Sequence, residues 1–522
     1  MSDGPSTTAD RVADRLLSGP LSAAMAALVV VEFLTWAPSY LVWPWWADHD
    51  VFATAAYSWG RGVKPYRDLL GNNFPGTTYL FAALGALFGR GNTVAFQAAD
   101  ALLVGLFGVA LVGWSRRRLG GVLAGLVAYA AFLNMYLNLD YTHVGQRDWH
   151  APALSALGIM AAEAFPGRAG RVLGGLGLGL ALTIRPQAIF FAPSLAMAVM
   201  GRDRPMRDLR EWGLTTTLVL VAGFAPLWLA GIGGDFLRSL ARASVGGSYN
   251  RMGISTFADM MLGQLAEVRN PAIVAAVLLL RHLGGPSIRR TSLVWLAAVG
   301  GAMLYRPLSP NPAHTYLTQP LSLCVSILVG ILAGLIAGAG SWKPSTRLAA
   351  LVLLIALSVV ARPRFCNPVG SLRAIRALAR GDAAANVPSG YVAHPGIDSS
   401  ARYDWADYQR LLKYLRTEVA PSTRVANYLA YVPALTGPAD RDPAFPAEST
   451  AWLRVVRVQD EHLFAEALEH ADRSIVVWDP IPPPPFDKPR LARIDEAVRR
   501  LYTFDRRFGP IEVWTRRAKP GP

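Results

Sequence analysis

Three acidic side chains and one histidine are concentrated in the stretch that follows the first apolar segment of the chain. Asp48 and Asp50 flank His49 directly after that segment, and Asp68 follows in the turn-rich sequence PYRDLLGNN. Two carboxylates at positions i and i+2 could share a divalent cation, and a single carboxylate could act as a general base toward an acceptor hydroxyl. An aspartate that merely caps the helical sequence VFATAAYSW would give a similar pattern without any chemistry.

The composition indicates a membrane protein with a more polar C-terminal part. The 522 residues are 52% hydrophobic and only 17% charged, whereas soluble domains contain about 25% charged residues. Charged residues are sparse up to residue 361 and dense beyond it. The composition argues against a soluble enzyme and a disordered chain. The net charge of +15 is carried mainly by arginine and does not indicate a nucleic-acid partner.

Eleven apolar segments are candidates for membrane-spanning helices, because about 20 mostly apolar residues are needed to cross the hydrocarbon. They cover residues 21–43, 93–114, 119–137, 149–164, 171–185, 187–200, 213–231, 271–282, 291–305, 316–339 and 346–361. Residues 74–89 are interpreted as an interfacial helix, because counting them as a span would move the basic run 116–118 to the outside. The predicted fold class is therefore a multi-pass α-helical membrane protein with a C-terminal soluble α/β domain.

The arginines and lysines between these segments predict the orientation of the chain. With the N-terminus in the cytoplasm, every connection predicted on the inside is basic, as the positive-inside rule requires. An odd number of spans then places the C-terminal part outside, on the same side as the first loop, residues 44–92. We therefore expect a protein of the inner (plasma) membrane with a transmembrane domain over 1–361. Residues 362–522, called the tail below, are expected to form a periplasmic or extracellular α/β domain.

The tail shows a pattern of alternating helices and strands. Helices are predicted at 404–419, 459–472 and 488–502, and strands at 424–428 and 474–479. None of these segments contains a sequence that indicates chemistry.

Three further polar sequences adjoin the predicted outer ends of spans. Arg147 and Asp148 lie in GQRDWHAP, where an ion pair between them could shape a pocket. Arg185 lies in IRPQAIFFAP, where a lone arginine could also be an anchor whose side chain reaches the lipid headgroups. His314 and Tyr316 lie in HTYLTQP, although an ordered turn would also explain this sequence.

The order of these sequences resembles the GT-C superfamily of polyprenyl-phosphate-sugar glycosyltransferases. This superfamily includes the protein mannosyltransferases and the aminoarabinose transferases of lipid A. In the first loop the resemblance lies in Asp48, Gly62, the run Pro65-Tyr66-Arg67-Asp68, and Pro75-Gly76. It extends to the three sequences just quoted and to the tail, and so covers most of the chain.

The resemblance implies inverting transfer of a hexosyl or pentosyl group. The donor would be a sugar linked to a polyprenyl phosphate, and the acceptor a lipid, a glycan or a protein at the outer face. Asp48 matches the catalytic acid of the family and would deprotonate or orient the acceptor. Many relatives have an Asp-Glu pair there, whereas His49 and then Asp50 follow here, so Asp50 is expected as the second carboxylate. Asp68 matches the second acid of the loop.

The resemblance also implies a cation that stabilises the leaving lipid phosphate, and Arg185 occupies the matching position. The expected substrate-binding residues are His49, Tyr66, Arg147, Asp148, Arg185, Arg306, His314 and Tyr316. No cofactor is assigned with certainty, and the binding of a divalent cation stays an open question. The second interpretation is a transporter or flippase of a lipid-linked sugar. It would explain the spans and an outer arginine, but not the tail or the acids concentrated in one loop.

Overall fold

The fold is described from a computed structural model of the chain. The described residues are 8–71, 73–201, 204–245, 254–267, 285–309, 315–359, 367–380, 391–392, 403–429, 434–447, 461–479 and 492–518. Among the predicted features, the span at 271–282 and His314 lie outside them.

The first half of the chain is a series of helices. They are α1 (Thr8–Leu17), α2 (Pro20–Tyr40), α3 (Ala47–Trp59), α4 (Pro75–Phe88), α5 (Thr93–Arg118), α6 (Leu123–Tyr136), α7 (Arg147–Ala164), α8 (Arg168–Ile184), a 3-10 helix (Pro186–Phe191) and α9 (Ala192–Val199). The helices that follow are α10 (Pro205–Leu229), α11 (Gly233–Val245), α12 (Ile254–Glu267), α13 (Pro286–Tyr305), a 3-10 helix (Thr315–Thr318), α14 (Gln319–Ala337), α15 (Pro344–Val359) and α16 (Pro368–Ala379). Apart from residues 271–282, the predicted apolar segments fall on these helices, but 187–200 is divided between the 3-10 helix Pro186–Phe191 and the eight-residue α9, and 316–339 begins in the 3-10 helix Thr315–Thr318.

Four of the described helical segments are long and apolar enough to cross a membrane. They are Pro20–Tyr40, Thr93–Arg118, Pro205–Leu229 and Tyr316–Ala337. On α10, the side chains of Leu214, Leu218 and Val221 are about 60% exposed, and they recur every three or four residues along one face. An apolar face of this kind is unfavourable in water and matches the lipid-facing side of a membrane helix. The chain is thus largely helical, with segments that can span a bilayer.

Glycine lets α7 and α8 approach closely. A Cβ atom on Gly177 would lie 2.7 Å from the carbonyl oxygen of Leu154, and one on Gly158 would lie 3.2 Å from that of Gly174. Small residues at such contacts are typical of helix packing in membranes, where close backbone contact replaces the hydrophobic effect. This contact fixes the start of α7 relative to the end of α8, where Arg147 and Arg185 lie.

The tail contains a small mixed sheet flanked by helices. Its elements are β1 (Tyr391–Val392), β2 (Tyr403–Asp404), α17 (Trp405–Thr417), β3 (Arg424–Tyr428), α18 (Thr436–Ala439), α19 (Glu461–His470), β4 (Ser474–Trp478), α20 (Ala492–Leu501), β5 (Tyr502–Phe508) and β6 (Ile511–Arg516). The strand order is β3-β4-β6-β5, with β3 and β4 parallel and the other pairs antiparallel. The prediction of an α/β tail is confirmed, and the β5–β6 hairpin is an addition to it.

Helix α16 belongs to the predicted tail by sequence, but it packs against the helix bundle. The hydroxyl of Ser371 donates a hydrogen bond to the carbonyl oxygen of Thr35 in α2. Val369, Leu372 and Ile375 are about half exposed on α16. This helix therefore adjoins the membrane part of the chain.

Candidate functional site

Asp48 lies in the first turn of α3, close to the helix N-terminus, which favours a negative charge. The cap is supplied by His49, whose Nδ1 accepts from the backbone N–H of Trp46 at 3.1 Å. Asp48 is partly exposed. Within the described ranges its carboxylate has no hydrogen bond or ion pair. Asp48 is therefore not needed as a helix cap, and its carboxylate is available for another group.

His49 is held inside the protein by both ring nitrogens. Nε2 lies 3.1 Å from the carbonyl oxygen of Gly145, and Nδ1 accepts from Trp46. Because Nδ1 is an acceptor, Nε2 carries the proton and the ring is neutral. Burial lowers the pKa of His49 to about 4. His49 positions the start of α3, and its expected role in substrate binding stays a prediction that these contacts do not support.

Asp50 joins α3 to the tail. Its carboxylate accepts from the backbone N–H groups of Leu435 at 2.7 Å, Thr436 at 3.3 Å and Gly437 at 2.5 Å. Thr54 donates to it at 3.4 Å. Burial raises the pKa of Asp50 to about 6, although the backbone donors act in the opposite direction. These donors occupy both oxygens, so neither a catalytic role nor a cation shared with Asp48 is supported by the contacts of Asp50.

Asp68 and Tyr66 lie in the turn that follows α3. Asp68 is exposed and accepts from the backbone N–H of Lys64 at 2.7 Å. Tyr66 has a φ of 64°, donates to the carbonyl oxygen of Asn73 at 2.7 Å, and packs edge-on against Phe236 at 5.1 Å. Tyr66 stabilises the loop, and Asp68 lines a cleft shared with the tail. The structure does not bring Asp68 into contact with Asp48.

Arg147, Asp148, Arg185 and Tyr316 converge where several helices end. Arg147 and Asp148 begin α7, Arg185 directly follows α8, and Tyr316 precedes α14. Nε of Arg185 donates to Oδ1 of Asp148 at 2.7 Å. Tyr305, the last residue of α13, donates to the same oxygen at 3.0 Å. Arg185 is buried, with 8% of its surface exposed, and so is not an anchor that extends to the headgroups.

The carboxylate of Asp48 lies within electrostatic range of this cluster. It interacts electrostatically with the guanidinium group of Arg147 and the hydroxyl of Tyr316. Arg147 also donates to Oδ1 of Asn73, and its guanidinium carbon lies 5.3 Å from the ring centre of Phe52. The cluster therefore combines two arginines, two aspartates and two tyrosines from distant parts of the chain.

Two buried polar atoms of the cluster have no hydrogen-bond partner within the described ranges. They are Nε of Arg147 and Oδ2 of Asp148, which lie 3.9 Å apart, too far for a hydrogen bond. Leaving such an atom unsatisfied costs about 1–3 kcal/mol. A ligand with polar groups would remove this penalty, so these two atoms are candidates for contacts with a ligand.

Arg306 and His314 complete the set of predicted residues. Arg306 follows Tyr305 at the end of α13 and is partly exposed next to the cluster. His314 lies outside the described residues, so its predicted role stays a prediction.

Asp100 is a buried residue that the sequence interpretation missed. Its carboxylate accepts from the hydroxyls of Tyr40 at 2.9 Å and Tyr136 at 2.8 Å, and from the indole of Trp149 at 3.0 Å. Nε2 of His150 lies 2.7 Å from it. A lone aspartate in the predicted span 93–114 was the available signal, because charged residues inside membranes are rare and usually paired.

The contacts of Asp100 extend to the start of α3. The hydroxyl of Tyr136 donates to Asp100 and accepts from the backbone N–H of Gly145 at 3.0 Å. The carbonyl oxygen of Gly145 in turn accepts from Nε2 of His49. Gly145 has a φ of 65°, and a Cβ atom there would lie 2.9 Å from the hydroxyl of Tyr40. This hydrogen-bond chain fixes the starts of α3 and α7 relative to each other, and with them Asp48 and Arg147.

A metal site is not evident in the described part of the chain, where no group of three or more His, Cys, Asp or Glu side chains could hold an ion. Comparison with known proteins does not identify a family. No family model matches the chain, and no curated protein matches its sequence. The likeness to the GT-C superfamily therefore rests on the residues quoted above.

Proposed function

We propose that the protein is an inverting membrane glycosyltransferase that moves a sugar from a polyprenyl-phosphate carrier to an acceptor hydroxyl. The observation that carries this proposal is the cluster in which the partly exposed carboxylate of Asp48 lies within electrostatic range of Arg147 and Tyr316, beside the Arg185–Asp148 pair. In such a reaction the carboxylate accepts the proton of the attacking hydroxyl, and the two arginines stabilise the charge of the leaving phosphate.

In the proposed reaction, the acceptor oxygen attacks the anomeric carbon of the sugar. Asp48 takes the proton from the attacking hydroxyl as the new carbon–oxygen bond forms. The bond between the anomeric carbon and the phosphate oxygen breaks on the opposite side, and its electron pair stays on that oxygen. The products are the glycosylated acceptor with inverted configuration and the free polyprenyl phosphate.

The leaving phosphate gains negative charge, and Arg147 and Arg185 are the groups that stabilise it. Nε of Arg185 is engaged by Asp148, while its two terminal nitrogens have no partner within the described ranges. Nε of Arg147 is also unpartnered there. An arginine whose fork is held by a carboxylate on one side is oriented in advance for phosphate on the other. Asp148 and Tyr305 thus position Arg185.

The proposal includes the membrane arrangement predicted from the sequence. Eleven spans place the N-terminus in the cytoplasm and bring the first loop and the tail to the outer side of the plasma membrane. The basic connections in the sequence support this orientation, and the apolar exposed face of α10 supports a location in a membrane. The prenyl chain of the donor would then lie in the bilayer while its phosphate reaches the helix ends that carry the arginines.

A vesicle assay tests this function against transport. The purified chain is reconstituted into vesicles that contain a polyprenyl phosphate carrying a radiolabelled sugar, and vesicles without protein serve as the control. We expect the label to leave the lipid fraction only when protein is present, because the carrier–sugar bond is cleaved. Movement of intact labelled lipid between leaflets without cleavage would contradict the proposal and support a flippase.

A further inference from the structure

A second polar cleft lies between the first loop and the tail. It has a volume of about 520 Å³, which is within the range of small-molecule sites. One wall is formed by the segment after α3, including Arg61 and Asp68, and the other by Arg424, Phe445 and His470 of the tail. The cleft is separate from the Asp48 cluster and plays no part in the reaction proposed above.

The two walls of the cleft are held together without a ligand. The backbone N–H of Leu70 donates to the carbonyl oxygen of Pro446 at 2.8 Å. Arg61 forms ion pairs with Asp440 at 2.6 Å and Asp442 at 2.7 Å. Main-chain bonds and a paired arginine therefore preform the cleft, which lowers the entropic cost of binding.

Arg424 supplies an uncommitted cation at this cleft. It is the first residue of β3 and its side chain is exposed. Within the described ranges the guanidinium group has no hydrogen bond or ion pair, whereas Arg61 in the same cleft is engaged by two carboxylates. A free guanidinium fork binds a carboxylate or a phosphate with two parallel hydrogen bonds. The cleft can therefore bind an anionic group.

Asp68 and His470 add hydrogen-bond acceptors for hydroxyl groups. Asp68 uses one carboxylate oxygen for the backbone N–H of Lys64, and its other oxygen has no partner in the described part of the chain. Nδ1 of His470 lies 2.8 Å from the carbonyl oxygen of Glu466 and so carries the proton. Nε2 of His470 is then an acceptor. Two acceptors beside one cation match a ligand that carries hydroxyls as well as an anion.

The floor of the cleft is apolar. Val63, Pro446 and Ala467 line it and are partly exposed. A sugar ring presents apolar C–H groups on its faces and hydroxyls at its edge. An apolar floor with a polar rim thus suits a sugar ring better than a small inorganic anion.

We propose that this cleft binds an anionic sugar, either a sugar acid or a sugar phosphate, through Arg424, Asp68 and His470. The site adjoins the end of α3 that is opposite to Asp48. Ten residues separate Asp48 from Ser58 on this helix, which corresponds to about 15 Å. The cleft is therefore an additional binding site and does not hold the reacting groups.

Calorimetric titration of the purified full-length protein in detergent tests this proposal. The ligands are glucuronate and glucose 6-phosphate, with glucose and inorganic phosphate as controls for the hydroxyls alone and the anion alone. We expect one of the two sugar anions to bind with millimolar or tighter affinity, and at least about tenfold more tightly than either control. Which of the two binds identifies the anion as a carboxylate or a phosphate.

Two variants address the cleft independently. Arg424→Gln should weaken binding by about tenfold or more, because a charge-assisted hydrogen bond is lost. Ala467→Phe should also weaken it by filling the cleft from α19. The matched control is Arg499→Gln, an exposed tail arginine that does not line the cleft. Binding by a variant is compared with that of the wild type only where the two proteins have the same melting temperature.

The proposal is overturned if neither sugar anion binds, if glucose or phosphate binds equally well, or if both Arg424→Gln and Ala467→Phe bind like the wild type. Asp48→Asn should retain full binding of the sugar anion. This variant separates the cleft from the transfer reaction, because loss of transfer with intact binding leaves the cleft proposal standing.

Discussion

Arg147 and Arg185 are the two cations of the proposed active site, and they are held in different ways. Arg185 is paired with Asp148 at 2.7 Å, whereas Arg147 lies 3.9 Å from the same aspartate and donates to Asn73. Because the pair with Asp148 orients Arg185, removal of either member would disturb the proposed phosphate contact. The orientation of Arg185, and not charge alone, is what the site supplies.

We predict that Arg185→Gln lowers the rate of sugar transfer by about 100-fold or more, because the phosphate loses a charged donor. Arg185→Lys should recover part of this loss, since the charge is kept but the fork is not. The measurement is kcat with a labelled polyprenyl-phosphate sugar, and Arg499→Gln is the control. Equal rates for wild type and Arg185→Gln would show that Arg185 does not contact the phosphate.

At the residue scale, the sequence indicated several members of the cluster and the pairing of Arg147 with Asp148, which lie 3.9 Å apart, but not the partners that come from other helices. Arg147, Asp148 and Arg185 were identified because polar residues next to apolar segments are unusual. Tyr305 was missed because a tyrosine at the end of an apolar helix is common, and its bond to Asp148 joins residues 157 positions apart. Such contacts depend on which helix ends meet, and residue types and spacing do not contain that information.

At the scale of elements, Asp100 is the point where four helices are joined. Its carboxylate in α5 accepts hydrogen bonds from Tyr40 of α2 and Tyr136 of α6, and it also contacts Trp149 and His150 of α7. Through Tyr136 and Gly145 it also fixes the start of α3. These helices therefore depend on one buried carboxylate for their relative positions.

We predict that Asp100→Asn destabilises the protein by about 1–3 kcal/mol, because an amide nitrogen replaces one oxygen that now accepts hydrogen bonds. Tyr136→Phe removes a donor to Asp100 and the acceptor of the Gly145 N–H, and should cost about 1–3 kcal/mol. The measurement is thermal unfolding of both variants in the same detergent. A melting temperature of Asp100→Asn equal to that of the wild type would contradict the role of Asp100 as a joint.

The joint between α3 and the tail should depend on pH. The pKa of Asp50 in the folded protein is about 6, above its ordinary value of 3.8, because the carboxyl group is buried. The folded protein then binds the proton more tightly than the unfolded chain does. The contribution of Asp50 to stability is therefore full below about pH 4 and is lost as the pH rises through 6.

Denaturation of wild type and Asp50→Asn between pH 4 and 7 measures this effect. We expect the unfolding free energy of the wild type to fall relative to that of Asp50→Asn as the pH rises, since Asn cannot titrate. A difference that does not change with pH would show that the pKa of Asp50 is not raised.

Most helices could be predicted from the sequence, because long apolar segments have few alternatives to a helix in a membrane. Helix α16 was assigned to a soluble domain, since its sequence PVGSLRAIRALA has only 12 residues and includes two arginines, whereas a span needs about 20 mostly apolar residues. Its packing on α2 depends on tertiary contact. The β5–β6 hairpin was missed because TFDRRF is mostly exposed and polar.

At the scale of the whole molecule, the proposed arrangement puts Asp48 and the tail on the same side of the membrane. The contacts of Asp50 with residues 435–437 and of Arg61 with Asp440 and Asp442 join the tail to the first loop. If the tail docks on this loop, both are reached from one compartment. The basic residues 116–118 at the end of α5 should lie in the other.

Cysteine labelling of intact cells tests this arrangement. The background is the Cys366→Ser variant, in which the buried Cys324 is the remaining thiol. We predict that Arg499→Cys reacts with a membrane-impermeant maleimide from outside, and that Arg116→Cys reacts only after the membrane is opened. Labelling of Arg116→Cys in intact cells together with protection of Arg499→Cys would reverse the orientation.

The central claim is that Asp48 removes the proton from the acceptor while the arginines hold the donor phosphate. The most direct measurement is the single-turnover rate of carrier–sugar cleavage by Asp48→Asn, together with its affinity for the donor. We predict that the rate falls by about 100-fold to 10,000-fold while the donor affinity stays close to that of the wild type, because the base is lost and the phosphate contacts remain. A rate equal to that of the wild type would contradict the claim.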